Sequence, residues 1–156
     1  MTPEETLLHE GINLPAPPEP IGLYEPCVRA GGLLFLSGHI APPADRRFVG
    51  RVGDTVDLET AQKAAEFVGR QLLSTVKLAV GSLDHVRRPV KLTGFVNATA
   101  EFTDVPAVLD GCSRVMTKVF GGPGRAARSA VGVASLPKGV CVEIEAVFEL
   151  TPDAPR

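Results

Sequence analysis

The run ARSAVGVASLPKGVCVEIEAVFEL, Ala127 to Leu150, constrains the fold more than any other stretch, because two segments of alternating character flank a Pro-Lys-Gly break and both carry charge among apolar or small residues. Successive residues of a strand point to opposite sides of its sheet. Counting from Arg128, one side collects Ala130, Gly132 and Ala134 and the other Ser129, Val131 and Val133. In the second segment Val140, Val142, Ile144, Ala146 and Phe148 form an apolar side, while Cys141, Glu143, Glu145, Val147 and Glu149 form a mixed one. A turn at Pro137-Lys138 makes the two segments a hairpin, and burying β-branched residues together puts Val131 and Val133 with Val142 and Ile144. That register gathers Arg128, Glu143 and Glu145 on a floor of Ala130, Gly132 and Ala134, where small side chains leave room for a ligand or a second polypeptide. A bulge at Gly139 is the alternative that shifts this register, since Pro137 cannot adopt positive φ.

The remaining chain reads as strands and helices in alternation. Residues 1 to 20 carry a short helix over Pro3 to Glu10 and then a Pro-rich strap, Leu14 to Pro20, that cannot continue it. Strands follow over Pro26 to Ala30 and Leu33 to Ile40, joined by the tight turn Gly31-Gly32. Ala41 to Val56 reads as loop, with a short strand at Phe48 to Gly50. Asp57 is placed to cap a helix that runs to Val80, with Ala61, Ala64, Ala65, Val68, Leu72, Val76 and Ala79 at helical spacing and Gly81 as its terminator. A strand from Val86 or Val90 to Asn97 precedes a second helix, Asp104 to Phe120, with Pro106 in its first turn and Gly121-Gly122 at its end. The reading is one α+β domain over residues 21–151, behind the 1–20 strap and before a 152–156 tail. Two helices cover one face of such a sheet, and a neighbouring subunit is the economical cover for the other.

A formal charge of −2 at pH 7 gives no pull towards nucleic acid, and the pairs Arg46-Arg47 and Arg87-Arg88 are isolated rather than a stripe. No apolar run approaches the roughly 20 residues that span a bilayer, and the first residues are acidic, so cytoplasm is the expected location. Cys27, Cys112 and Cys141 are far apart and odd in number, which suits buried thiols better than disulfides or zinc.

PIGLYEPCVRAGGLLFLSGHIAP (Pro20 to Pro42), VKLTGFVNA (Val90 to Ala98) and the ARS, LP and VEIEA elements between Arg128 and Ala146 resemble, in order and spacing, the RidA/YjgF family, also labelled L-PSP endoribonuclease. The similarity extends over roughly residues 20 to 150 and is greatest to the longer branch with an N-terminal extension. It implies a chorismate-mutase-like α+β fold, with two helices on one face of a mixed sheet. It also implies a homotrimer whose sites lie in the clefts between subunits. The implied reaction is hydrolysis of a reactive 2-enamino or 2-imino carboxylate to the 2-oxo acid and ammonia, with no metal or organic cofactor.

In that reading Arg128 anchors the substrate carboxylate through two parallel hydrogen bonds. Glu143, the first glutamate of the EIEA element, relays the proton. Backbone groups near Ala130 help to position the water, Ser37 and Gly38 belong to the close packing around the cleft, and Tyr24 reaches in from an adjacent subunit.

Each of these residues also has an ordinary structural use. Arg128 and Glu143 suit an ion-pair network at a subunit interface, and Glu145 is expected to pair structurally. Ser37-Gly38-His39 lacks the acidic orienter of a catalytic triad, leaving His39 as a pocket-lining residue. The GGPGR segment, Gly121 to Arg125, follows a helix and precedes a strand, the wrong order for a phosphate loop, and reads as a flexible rim of the cleft. Asn97 is expected in turn chemistry.

The chain departs from the family pattern in having Ala130 where deaminases commonly carry cysteine, Leu109 followed by Asp110 where many have asparagine, and Ala126 where the longer branch often has histidine. Two other functions remain open beside the deaminase. One is capture of a small carboxylate metabolite without turnover. The other is ribonuclease action, against which stand the acidic balance, a single tyrosine, no tryptophan and no paired histidines.

Overall fold

A computed structural model describes residues 1–155; Arg156, the last residue of the expected tail, lies outside the described residues. Thr2 opens helix α1 (Pro3–His9) with a capping box, its hydroxyl accepting from the Glu5 amide and the Glu5 carboxylate accepting from the Thr2 amide. Asp57 caps α2 (Leu58–Val80) by accepting from the Thr60 amide at 2.7 Å, and Gly81, at φ 81°, ends it. Helix α3 (Val105–Phe120) starts at Asp104 with no side-chain cap. The face expected of α2 is buried from Ala61 to Val76, whereas Ala79 is exposed and Val80 is buried in the last turn, and Gly111 lets α3 come into backbone contact with α2. A Cβ at Gly111 would lie 2.0 Å from the Gln62 carbonyl oxygen.

Strands β1 (Cys27–Ala30), β2 (Leu33–Ile40), β3 (Val86–Asn97), β4 (Ala127–Val133) and β5 (Val142–Leu150) form one sheet in the spatial order β1-β2-β5-β3-β4. Both long helices pack on one face, burying Leu92, Val96, Val142, Ile144, Ala146 and Phe148. The other face leaves Val28, Phe35 and Val131 exposed. The α+β reading, the mixed sheet and the two covering helices are therefore present. Glu4 of α1 holds the N-terminal segment to the body, pairing with Lys77 at 2.7 Å and accepting from the Leu83 amide at 2.9 Å. The Ser74 hydroxyl holds the strap by donating to the Pro15 carbonyl at 2.6 Å.

The expected terminal hairpin does not form. Strand β3 lies between β4 and β5, parallel to β4 and antiparallel to β5. The long β3-α3-β4 crossover makes β4 a parallel neighbour of β3, as such connections do. The alternation within each strand is as read, but the pairing of faces is inverted. Leu92 sits opposite both Arg128 and Ala146, so Arg128, Ala130 and Gly132 share the helix-covered face with Ile144. Phe95 sits opposite both Val131 and Glu143, so Ser129, Val131 and Val133 share the open face with Glu143 and Glu145.

Burial of β-branched residues failed as a register rule here because the open face of one chain is itself apolar. The turn at Pro137–Gly139 is a single 3-10 turn with Lys138 at φ 59° and Gly139 at φ 68°. The short strand expected at Phe48 to Gly50 is instead a 3-10 turn, Arg46–Phe48, capped by Asp45 and followed by one bridge between Val49 and Val140. Asn97 joins loops rather than making a turn, its Nδ2 donating to the Gly50 carbonyl at 3.2 Å.

Candidate active site

Strand β2 is interrupted where the Ser-Gly-His sequence falls. Leu36 pairs with Ala146 but His39 with Ile144, so one extra residue is accommodated at Ser37-Gly38, a β-bulge that re-aims the chain. Ser37 is fixed to the segment before β1, its hydroxyl donating to the Glu25 carbonyl at 2.6 Å and its amide to the Pro26 carbonyl at 3.0 Å. Beyond the bulge His39 turns back under the helices. Its Nδ1 is 2.8 Å from the Ser37 carbonyl, which only accepts, so Nδ1 carries the proton and Nε2 accepts from the Thr75 hydroxyl at 2.7 Å. Burial pushes the His39 pKa below its ordinary value. It is therefore a neutral buttress of the bulge, at the wall of the cleft.

The bulge brings Gly38 against Glu143. A Cβ at position 38 would lie 2.0 Å from Glu143 Oε1, so the absence of a side chain there is what lets the carboxylate occupy its place. Burial first, and the charge of Glu145 second, push the Glu143 carboxyl above its ordinary value. Both effects disfavour the charged form, which suits a group that holds and passes a proton near neutrality. Around it lies a cleft of about 710 Å³ walled by Pro18, Pro20 and Ile21 of the strap, by Pro42 and Pro43, and by Pro137 and Lys138. Tyr24, Ser37, Gly38, His39, Gln71 and Glu145 also line it. The rim is thus made by the strap and the Pro137 turn. The GGPGR segment packs elsewhere, with Gly124 buried against the Met116 carbonyl.

Four of the expected site residues, Tyr24, Ser37, Gly38 and Glu143, meet in this cleft, and Tyr24 does so from the same chain as Glu143. Arg128 and Ala130 do not. Arg128 lies on the edge strand β4, on the opposite face of the sheet and with β3 between it and β5. Neighbouring strands are about 4.8 Å apart, and three residues span about 10 Å along a strand, so no single chain brings Arg128 to Glu143. Its Nη1 donates to Asp110 Oδ1 at 2.8 Å and to Ser113 Oγ at 3.0 Å. Holding one nitrogen leaves the Nε–Nη2 edge of the guanidinium for a planar carboxylate.

Sequence reasoning missed Ser113, Thr75 and Gln71. The last two carried a signal: polar residues one turn apart on the sheet-facing side of α2, Gln71 lying between Val68 and Leu72. Among the described residues no cluster of three or more His, Cys, Asp or Glu side chains is placed to hold a metal ion. Cys112 and Cys141 are buried and free, and burial pushes their thiols up to about 12 and about 11, far from reactive values. No helix among the described residues is long and apolar enough to cross a membrane.

The sequence model of the family described as endoribonuclease L-PSP matches residues 15–149. The protein TCP17 of Trypanosoma cruzi is 41% identical over 143 residues, covering 90% of this chain and 89% of that protein. A 2-iminobutanoate/2-iminopropanoate deaminase of Dermatophagoides farinae is 34% identical over 137 residues, covering 87% of this chain and 92% of that enzyme. The crystal structure of a protein of unknown function from Agrobacterium tumefaciens, 39% identical, superposes with a TM-score of 0.86 over 96% of this chain and 92% of that one.

Proposed function

The chain belongs to the endoribonuclease L-PSP family, also called RidA/YjgF, and from that premise we propose that it hydrolyses 2-imino and 2-enamino carboxylates to 2-oxo acids and ammonia in clefts completed by a neighbouring subunit of a homotrimer. The observation that carries this reading is the Glu143 carboxyl, given its place in the cleft by Gly38 and pushed above its ordinary value by burial and by Glu145. The deaminase name of one relative supports the reaction class.

In the proposed site Arg128 of one subunit binds the substrate carboxylate against the next subunit's Glu143, Tyr24 and Ser37. The protonated Glu143 gives its proton to the imine nitrogen, or to C3 of the enamine. Water then forms a bond from its oxygen to C2 and returns a proton to Glu143. The C–N bond of the resulting carbinolamine breaks, ammonia leaves with the electron pair after protonation, and the hydroxyl proton is lost as the C2 carbonyl forms. One water is consumed and one ammonia released; Glu143 ends as it began.

Three carboxylates at the cleft, Glu19, Glu143 and Glu145, against the single cation Lys138 argue against an RNA substrate. Capture of a carboxylate metabolite without turnover draws on the same Arg128 and differs only at Glu143. An amino-acid oxidase coupled to semicarbazide trapping separates the two. Active wild type with Glu143→Gln slowed at least about 100-fold is expected for general acid–base work. Wild type with no effect on the trapped product, yet binding 2-oxo acids, leaves the binding role.

A further inference from the structure

Among the polar groups that the proposed chemistry does not use, the Glu143 cleft has a buried amide. Gln71 projects from α2 into its lining, one turn before the Thr75 that hydrogen-bonds His39 at 2.7 Å. The residue is only 8% exposed, and its Oε1 is buried with no hydrogen-bond partner among the described residues. Most buried side-chain amides are paired, so an orphan here needs an explanation; Gln71 lines the cavity, and turning its terminal amide brings the orphaned oxygen to a ligand there. Its surroundings are otherwise apolar, already committed or charged. Elsewhere in the lining Pro42, Pro43 and Ile40 are apolar, His39 has both ring nitrogens engaged, the Ser37 hydroxyl has spent its proton on Glu25, and Glu19, Glu145 and Lys138 carry charge.

We propose that Gln71 is a specificity residue that reads the far end of the substrate side chain and selects a neutral polar group, a carboxamide or a hydroxyl, over a purely aliphatic tail of the same length. A terminal amide rotates over a broad, two-fold torsion, so Gln71 offers the ligand either its N–H donor or its carbonyl acceptor. A carboxamide returns both complements; a hydroxyl returns one at a time. An aliphatic tail leaves the amide orphaned, and a site built around a polar partner rejects the analogue that lacks it more strongly than an apolar pocket rejects an added methylene. A second carboxylate on the substrate is disfavoured by Glu145 and Glu19 in the same cleft.

This inference rests on the deaminase reading for its substrate and is tested so that the two fail separately. Imines are generated from glutamine and from methionine, side chains of nearly equal length, and kcat/KM is compared for wild type and Gln71→Leu. Wild type is expected to prefer the glutamine-derived imine at least about 10-fold, and Gln71→Leu to lose or reverse that preference. Two active proteins with the same preference overturn the role of Gln71 and leave the reaction standing. If wild type hydrolyses neither imine, the deaminase reading falls, and calorimetric titration with 2-oxoglutaramate and 4-methylthio-2-oxobutanoate decides the matter. A preference for the amide that Gln71→Leu abolishes upholds the specificity role in a binding protein; equal affinities in both proteins overturn it.

Discussion

The Glu143 cleft and the Arg128 edge differ in how each stabilises a charged side chain. Glu143 sits in a cleft walled by prolines, where burial and the charge of Glu145 push its carboxyl above the ordinary value. Arg128 lies on an edge strand with Asp110 and Ser113 supplied by the covering helix, which hold its Nη1. One region holds a proton more tightly than an ordinary carboxylate does; the other leaves part of a guanidinium unfilled. Neither is a complete site, and the sheet keeps them on opposite faces, so the proposed chemistry needs a second chain to bring the two together.

The largest expected effect tests that separation. Arg128→Ala and Glu143→Gln, each inactive alone, are co-expressed with different tags and the mixed oligomer is purified. Recovery of roughly a third of wild-type hydrolysis is expected, because each mixed ring of three contains one cleft of three with both side chains intact. No recovery in a verified mixed oligomer breaks the comparison by showing that Arg128 and Glu143 do not complete one cleft across a subunit boundary. The next effect concerns the cleft alone. Gly38→Ala adds a methyl 2.0 Å from the place of Glu143 Oε1, the mobile end of a long side chain. The carboxylate is expected to swing aside, with activity falling roughly 100-fold and stability changing by no more than about 1 kcal/mol. Equal losses of activity and of melting temperature would instead make Gly38 a folding residue.

How much of this was legible in the sequence follows the same divide. The boundaries of α2, with Asp57 before it and Gly81 after it, were readable because caps and helical spacing are local. So was the tight turn at Gly31-Gly32, which closes β1 on β2. The meeting of Tyr24, Ser37, Gly38 and Glu143 came from family resemblance rather than from pattern, since the bulge that creates it shows only in the pairing of β2 with β5. The position of Arg128 was misread because strand pairing is a long-range choice. The strand-helix-strand order of β3, α3 and β4 carried the signal for a parallel neighbour, whereas proximity in sequence favoured a hairpin. Gln71 was passed over because polar residues within a long amphipathic helix usually face solvent.

A smaller effect sharpens the Arg128 half of the comparison. Asp110→Asn keeps a hydrogen-bond acceptor beside Nη1 and removes the carboxylate that competes with a substrate anion. Since the pair is partly exposed, its charge is screened, and 2-oxo acid affinity measured by calorimetry is expected to tighten by roughly 2- to 5-fold. Weaker binding would mean that Asp110 holds the guanidinium in its useful orientation and that its charge matters less.

The smallest effect is a stability change with pH, and it separates the two titratable groups of the cleft by sign. Glu143 has its pKa raised on folding, so its contribution is fully present below the ordinary carboxylate range and is lost as pH rises through its folded value. At neutral pH it therefore costs stability. Glu143→Gln is expected to unfold at slightly higher denaturant than wild type at pH 7, by under about 1 kcal/mol for so exposed a group, and the gain should vanish near pH 4. His39 behaves oppositely. Its pKa is lowered, so its contribution is present above the ordinary histidine range and is lost as pH falls through its folded value. Wild type is then expected to weaken on acidification below about pH 6.5, where protonation of Nε2 takes away the acceptor that Thr75 uses. Thr75→Val should remove about 1 kcal/mol at pH 7 by leaving that nitrogen unpaired, and less in acid, where the bond is already lost. A Thr75→Val penalty that stays constant from pH 8 to pH 5 would show that His39 keeps its neutral form throughout and that the cleft's acid response belongs to its carboxylates.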